Sequence, residues 1–277
     1  MPDQLSESLA ASRERAACGI DTTIPNPARV YDYLLGGKDN FEVDRVTVRA
    51  GMDAFPKIAK SAQASRAFLA RVVRYLAESG IRQFLDIGTG LPSANNVHEV
   101  AQSVAPTSRI VYVDNDPVVL LHARTLLTST PEGVTEFVDA DMSETRTVLR
   151  EAARTLDFSQ PVGVLLLGIL HFLRDDQQAD DIIGELMQAV PAGSYLAICH
   201  LTADIYPEMT ELARRVNERQ PHSPLILRDH AQVTGFFNEL ELIPPGVVQA
   251  ARWRPDSKLQ AAAPAALWAG LARKTPR

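Results

Sequence analysis

From Gln83 onward the chain repeats one pattern: a short apolar run, a turn, and a stretch with apolar residues at helical spacing. The runs are "QFLDI", "RIVYVDNDP", "VTEFVDAD", "VGVLLLG" and "SYLAICH". Strands that alternate with helices specify a doubly wound, mostly parallel sheet with helices on both faces. "VGVLLLG" is apolar throughout, as a central parallel strand covered on both faces must be. Two later runs, "LELIPPGVV" and "ALWAGLARK", are joined by a segment too short for a full crossover helix. They are expected to pair in an antiparallel, hairpin-like ending. In such sheets ligands sit at the carboxyl ends of the strands, where strand order reverses.

At 277 residues the chain suits one large α/β domain or two small ones. Its net charge of −6 removes any bulk electrostatic case for a nucleic-acid partner. The two cysteines, Cys18 and Cys199, lack metal-ligand spacing, so no metal is expected, and free thiols point to a reducing, cytoplasmic setting. The N-terminus has no apolar core of a secretion signal. The longest apolar run, Val162 to Leu173, is too short for a bilayer, so no membrane partner is expected.

Ahead of the sheet, residues 1–20 are polar and alanine-rich and are expected to be flexible. Residues 21–80 are expected to form a helical cap or lid, with a helix start near Pro27 and an amphipathic helix from Ser61 to Ser79. In that second helix Phe68, Leu69, Val72, Val73 and Leu76 recur at helical spacing, and Gly80 suits its C-cap. Residues 81–277 then form the sheet domain.

The strand ends carry the chemistry. "FLDIGTGLP" places Asp86 at the end of an apolar run, followed by Gly88, Thr89 and Gly90. Two glycines allow a tight turn and close backbone approach to a ligand. A dinucleotide fingerprint needs a third glycine where Ser93 stands, after Pro92. Asp86 suits a cationic ligand better than a pyrophosphate. The second run ends in "VDND": Asp116 before Pro117 is a helix N-cap, which leaves Asp114 free to take both hydroxyls of a ribose. The third ends in "VDADM", where Asp141 is a candidate acceptor for an exocyclic amine and Asp139 lies closer to the strand interior. An ordinary strand-to-helix turn and solvent-facing loop acids are the plain alternatives for each.

Together these elements resemble the motifs of class I S-adenosylmethionine-dependent methyltransferases. "FLDIGTG" is similar to the D-x-G-x-G signature, Asp114 to the ribose acid, and Ala140-Asp141-Met142 to the adenine-contact segment. Longer stretches, "IDTTIPNPARVYDYLLGGKDNFEVDR" and "FLDIGTGLPSANNVHEVAQ", resemble a narrower group over nearly the whole chain. That group is the actinomycete S-adenosyl methyltransferase family, long catalogued as a domain of unknown function. The resemblance implies a Rossmann-like fold with a seven-stranded, mostly parallel sheet and one antiparallel strand. It implies S-adenosyl-L-methionine as cofactor, held by Asp86, Gly88, Thr89, Gly90, Asp114, Asn115, Asp141 and Met142. The expected partner is a small-molecule methyl acceptor, with room for a homodimer.

His171, just past the fourth strand in "GILHF", is the best candidate base, and its ordinary pKa near 6.5 would suit work at neutral pH. A histidine that merely packs at a strand end is the even alternative. His200 is a weaker second base, and His98 is expected to be structural. Phe236 and Phe237 are expected in the core, and Trp253 over a sheet edge. "YDYLLGGKDNFEVDR" lacks P-loop spacing and has no strand before it. It is expected to fold over the cofactor's methionine end, with Tyr31 or Tyr33 facing the sulfonium, Gly36 and Gly37 approaching closely, and Lys38 meeting the carboxylate. Tyr33 joins His171 as a candidate catalytic residue. A nicotinamide-dependent oxidoreductase and a non-catalytic S-adenosylmethionine sensor are the competing functions.

Overall fold

The computed structural model describes residues 20–126 and 129–276. The flexible segment expected at residues 1–20 lies outside the described residues, save Ile20. The sheet begins with β1 (Gln83–Ile87), β2 (Arg109–Asp114), β3 (Val134–Asp139), β4 (Gly163–Leu167) and β5 (Tyr195–Leu201). It continues with β6 (Glu241–Leu242), β7 (Val248–Gln249) and β8 (Leu267–Arg273). Spatial order is β3-β2-β1-β4-β5-β8-β6, with β7 also on β8. Strands β1 to β5 pair in parallel, and β8 runs antiparallel to β5, β6 and β7. The late run "LELIPPGVV" yields two short strands rather than one, giving eight among the described residues. Pro244 and Pro245 have no N–H to give a ladder, so pairing lapses between β6 and β7.

Strand parity builds two cores. Phe84, Ile110, Tyr112, Leu165 and Cys199 face one side. They meet α3 (Ile58–Glu78), α4 (Val97–Val104) and α8 (Met209–Arg219). Leu85, Val111, Val113, Leu166 and Ile198 face the other side. They meet α6 (Thr145–Ala152), α7 (Asp176–Ala189) and α9 (His230–Gly235). Phe236 and Phe237 are buried in this second core, as expected. Trp253 is fully buried in the first, edge-on to Phe68 and Tyr75, so it plugs the α3 face instead of shielding a sheet edge.

The helices ahead of the sheet are α1 (Pro27–Leu34), α2 (Glu42–Ala54) and α3. Helix α3 is built into the sheet's core through Phe68, Val72 and Leu76. Helix α1 packs Ala28 against Leu91, Val118 and Val119, the last two on α5 (Pro117–Leu126). A buried ion pair ties α1 to α2: Arg29 Nε lies 3.1 Å from Asp44 Oδ2, both nearly inaccessible. Asp44 also accepts the amides of Asn26 and Phe41, capping the start of α2. Arg29 donates to the carbonyls of Asp21 and Ile24.

Removing one partner of a buried pair strands the other charge. Asp44→Ala is expected to lower unfolding free energy by about 3–5 kcal/mol in urea denaturation.

Candidate functional site

The carboxyl ends of β1, β2, β3 and β4 open into a cavity of about 400 Å³ that runs beneath α1 and α2. Asp86, Gly88, Thr89, Gly90, Asp114, Asn115, Asp141, Met142 and His171 all line it. Even-numbered positions on β1 and β2 face α3, so Asp86 and Asp114 project to that side with Phe84 and Tyr112. Arg66 of α3 lines the same wall.

The glycine turn is bound to the second strand. Gly88 N–H donates to Val113 O at 2.9 Å, and Gly90 N–H to Asp114 Oδ2 at 2.8 Å. Both glycines have positive φ, +76° and +66°. A Cβ on Gly88 would stand 2.6 Å from Ile169, whereas one on Gly90 would project into open space. The first glycine is therefore needed for packing, and the second leaves bare backbone beside the cavity. Asp114 Oδ1 accepts the Asp116 amide, so each carboxylate oxygen is held by one N–H and keeps a lone pair. Asn115 donates to Asp141 Oδ2 at 2.7 Å, while Ser143 donates to Oδ1. Asp116 caps α5 by accepting the Val118 amide, and its buried Oδ2 has no partner.

Electrostatically this end is short of positive charge. Among the described residues lining it, Asp86, Asp114, Asp116 and Asp141 face a single arginine, Arg66. Burial pushes the Asp86 carboxyl up to about 7, with Arg66 opposing and Asp114 adding to the rise. Burial also raises Asp114, against the amides of Gly90 and Asp116. Arg66 donates to the carbonyls of Ala94 and Asn95, but its buried Nε has no partner. Arg66 has no motif to betray it in the sequence. The only local signal is the small-residue run "SAQAS" just before it, which marks the helix face that approaches the strands closely.

His171 lies in a short 3-10 turn, Leu170–Phe172, directly after β4. Fully buried Arg228 fixes that turn by donating to Leu170 O and Leu173 O, both at 3.0 Å. It also donates to His200 Nε2 and pairs with Asp176 on α7. His200 then carries its proton on Nδ1, which donates to Leu201 O. With both nitrogens engaged and no place in the cavity lining, His200 is not a base for this site. His171 Nδ1 has no partner. Burial, with His200 and Arg228 alongside, holds its pKa well below the ordinary histidine range. The near-neutral titration expected from sequence is thus displaced downward. His98 is structural, as expected, exchanging hydrogen bonds with the Tyr112 hydroxyl.

The tyrosine stretch divides. Tyr31 lines the cavity, and its hydroxyl donates to Ala62 O at 3.2 Å. Tyr33, Gly36, Gly37 and Lys38 do not line it. Tyr33 meets Arg49 of α2 instead. Gly36 and Gly37 end α1: their amides bond Tyr33 O and Asp32 O in a Schellman arrangement, with Gly36 at φ +83°. Lys38 follows on the exposed surface. These glycines stop a helix and do not line the cavity, whereas Gly90 does. Among the described residues no group of His, Cys, Asp and Glu is placed to hold a metal ion, and no helix is long and apolar enough to cross a membrane.

A glycine turn, an acid held at the end of β2 and an acid-rich cleft at a topological switch point mark where an α/β protein of this architecture takes its ligand. Residues 13–275 match the S-adenosyl methyltransferase family, and the chain belongs to that family. Its cofactor is S-adenosyl-L-methionine. The chain is similar to a DUF574 family protein from Streptomyces avermitilis, at 44% identity over 92% of this chain and 99% of that one, with a TM-score of 0.88. It is similar to a candidate methyltransferase from Thermobifida fusca at 40% identity, 93% and 98% coverage, and a TM-score of 0.85. An O-methyltransferase family protein from Burkholderia thailandensis shares the fold at 16% identity, 82% and 62% coverage, and a TM-score of 0.50. No match was found among curated proteins.

A carboxyl whose folded pKa is raised costs stability as pH climbs from its unfolded value to its folded one. For Asp86 that window runs from about 4 to about 7. Asp86→Asn is expected to approach the wild type in thermal stability at or below about pH 4 without cofactor, and to exceed it increasingly from there to about pH 8.

Proposed function

We propose that this protein transfers a methyl group from S-adenosylmethionine to a small-molecule acceptor. One observation carries the reading: a single cavity joins the acid-rich strand ends to an apolar recess beneath α1, α2 and α8. A cofactor and a second molecule can meet there.

The donor set fits the cofactor. The unpartnered Nε of Arg66 suits a carboxylate, and the open space over Gly90 suits close passage of a ligand. The excess of acids at the strand ends suits a ligand bearing positive charge. Asp114 would take the ribose hydroxyls on its remaining lone pairs. Asp141, braced by Asn115, would accept from the adenine amine beside Met142. Arg66 would hold the carboxylate, the role first expected of Lys38. Tyr31, not Tyr33, is placed to offer a ring face toward the sulfonium end. When bound, the cofactor supplies a methyl carbon primed for in-line displacement.

The protein's own task is alignment and exclusion of water. Orientation of reactants alone supplies on the order of 7–11 kcal/mol of barrier lowering. Helices α1 and α2 act as the cap over this space, and α3 acts as its wall. His171 stays neutral well into mild acid, so its free Nδ1 can receive a proton from an acceptor O–H or N–H as that bond is replaced. Arg228 keeps the histidine in place through both ends of its turn.

Calorimetry is expected to show binding of S-adenosylmethionine and S-adenosylhomocysteine but not NAD; binding of NAD alone would overturn the cofactor assignment to these residues. Asp114→Ala is expected to weaken S-adenosylhomocysteine by about 1.5–3 kcal/mol. With an acceptor obtained from a metabolite screen using labelled cofactor, His171→Ala is expected to lower turnover roughly 10²–10⁴-fold with little change in cofactor affinity. Turnover of the wild type should hold steady as pH falls below the ordinary histidine range. Incorporation of no label into any metabolite would favour a sensor.

A further inference from the structure

The two ends of the cavity differ in charge. Each of the five Asp and Arg side chains in its wall belongs to the strand ends or to the facing turn of α3. The recess beyond them is walled by Leu34, Val48, Leu69, Leu212, Val216 and Leu225, and among its described residues none is Asp, Glu, Lys or Arg. His222 stands exposed at the rim.

Polar side chains such as Ser61 and Ser223 also line the cavity, but among the described residues of the recess one keeps a buried polar atom without a partner. Gln220 closes α8, is 5% exposed and lines the cavity. Its Nε2 donates to Ser223 O at 2.9 Å. Only the amide nitrogen can pair with a carbonyl, so the side-chain orientation is fixed and Oε1 is the atom left over. That oxygen is buried and has no partner. A buried acceptor without a donor costs stability, and native proteins rarely keep one without cause. Oε1 can accept but never donate, so its complement is an O–H or N–H. A ligand carboxylate would meet no cation in this recess, and an ammonium would meet no carboxylate.

We infer that the methyl acceptor is an uncharged, largely apolar molecule that presents an O–H or N–H to Gln220 Oε1. This rests on the proposed methyl transfer for the word acceptor. The preference for a neutral donor rests on the recess alone.

The test uses three near-isosteric probes: 2-naphthol, 2-naphthoate and 2-fluoronaphthalene, titrated by calorimetry or ligand-observed NMR. Protein is used both free and saturated with S-adenosylhomocysteine. The expected result is 2-naphthol binding at least tenfold tighter than either other probe. In Gln220→Leu the advantage over 2-fluoronaphthalene should vanish. Naphthoate binding as tightly as naphthol, an equal affinity for the fluoro probe, retention of the naphthol advantage in Gln220→Leu, or no binding by any probe would overturn the inference. The wild-type ranking decides the matter even if the variant does not fold. Failure of S-adenosylhomocysteine to bind would instead strike the cofactor assignment, and the ranking on free protein would still test the recess.

Discussion

The hydrogen bond from the Gly90 amide to Asp114 Oδ2 joins the ends of the two strands at the centre of the site. It fixes the glycine turn to β2, and the turn in turn fixes where bare backbone meets the cavity. It also keeps Asp114 extended toward α3 even though burial opposes its charge. Asp86, one strand over and on the same face, is destabilised as an anion by the same burial and by Asp114 itself. Burial thus makes the charged form of both carboxyls less favourable than it is in water. The fold supports this by seating both acids on strands whose middles are fully buried and closely packed.

That arrangement explains the position of Arg66. Arg66, the one arginine among the described residues lining the cleft, moderates Asp86 without neutralising the cleft. A site lined by more acids than bases gains most from a ligand that brings positive charge, because attraction strengthens as solvent is excluded. A second arginine would have quenched that preference. Arg228, fully buried beside the His171 turn, is spent entirely on carbonyls, His200 and Asp176, and does not line the cavity.

Much of this was legible in the sequence, for physical reasons. Parallel strands announce themselves as apolar runs, and their ends are marked by acids and glycines that a core would reject; Asp86, Gly90, Asp114 and Asp141 were all visible in that way. The antiparallel ending followed from a connection too short to cross over. What stayed hidden depends on tertiary approach. Arg66 is one arginine on an amphipathic helix, and only the seating of α3 on β1 turns it inward. Tyr31 and Tyr33 sit two apart on α1, about 200° around a helix, so one must point away; nothing local says which. Gly36 and Gly37 carry the same letters whether they cradle a ligand or end a helix. Their Schellman bonds to Tyr33 and Asp32 decide it. His171 was placed correctly after β4, but its titration depends on burial and on His200 and Arg228 from distant segments.

The two histidines at the ends of β4 and β5 bring these threads together. Their rings meet edge-on, with centroids 5.7 Å apart, yet their chemistry is opposite. His200 is held at both nitrogens by Arg228 and its neighbour's carbonyl, and burial pushes its pKa down to about 4. It is therefore neutral, with one fixed tautomer, and leaves Arg228 free to hold the adjacent turn. His171 rides on that turn with Nδ1 unsatisfied. Protonating His200 would set its Nε2–H against the Arg228 donor and loosen the turn beneath His171. A depressed pKa on the buried partner is what keeps the cavity-facing one positioned across the neutral range. The cleft thus separates roles by environment: acids crowded at one end to favour a cation, an apolar recess at the other, and a clamped neutral histidine between the strands that bound them.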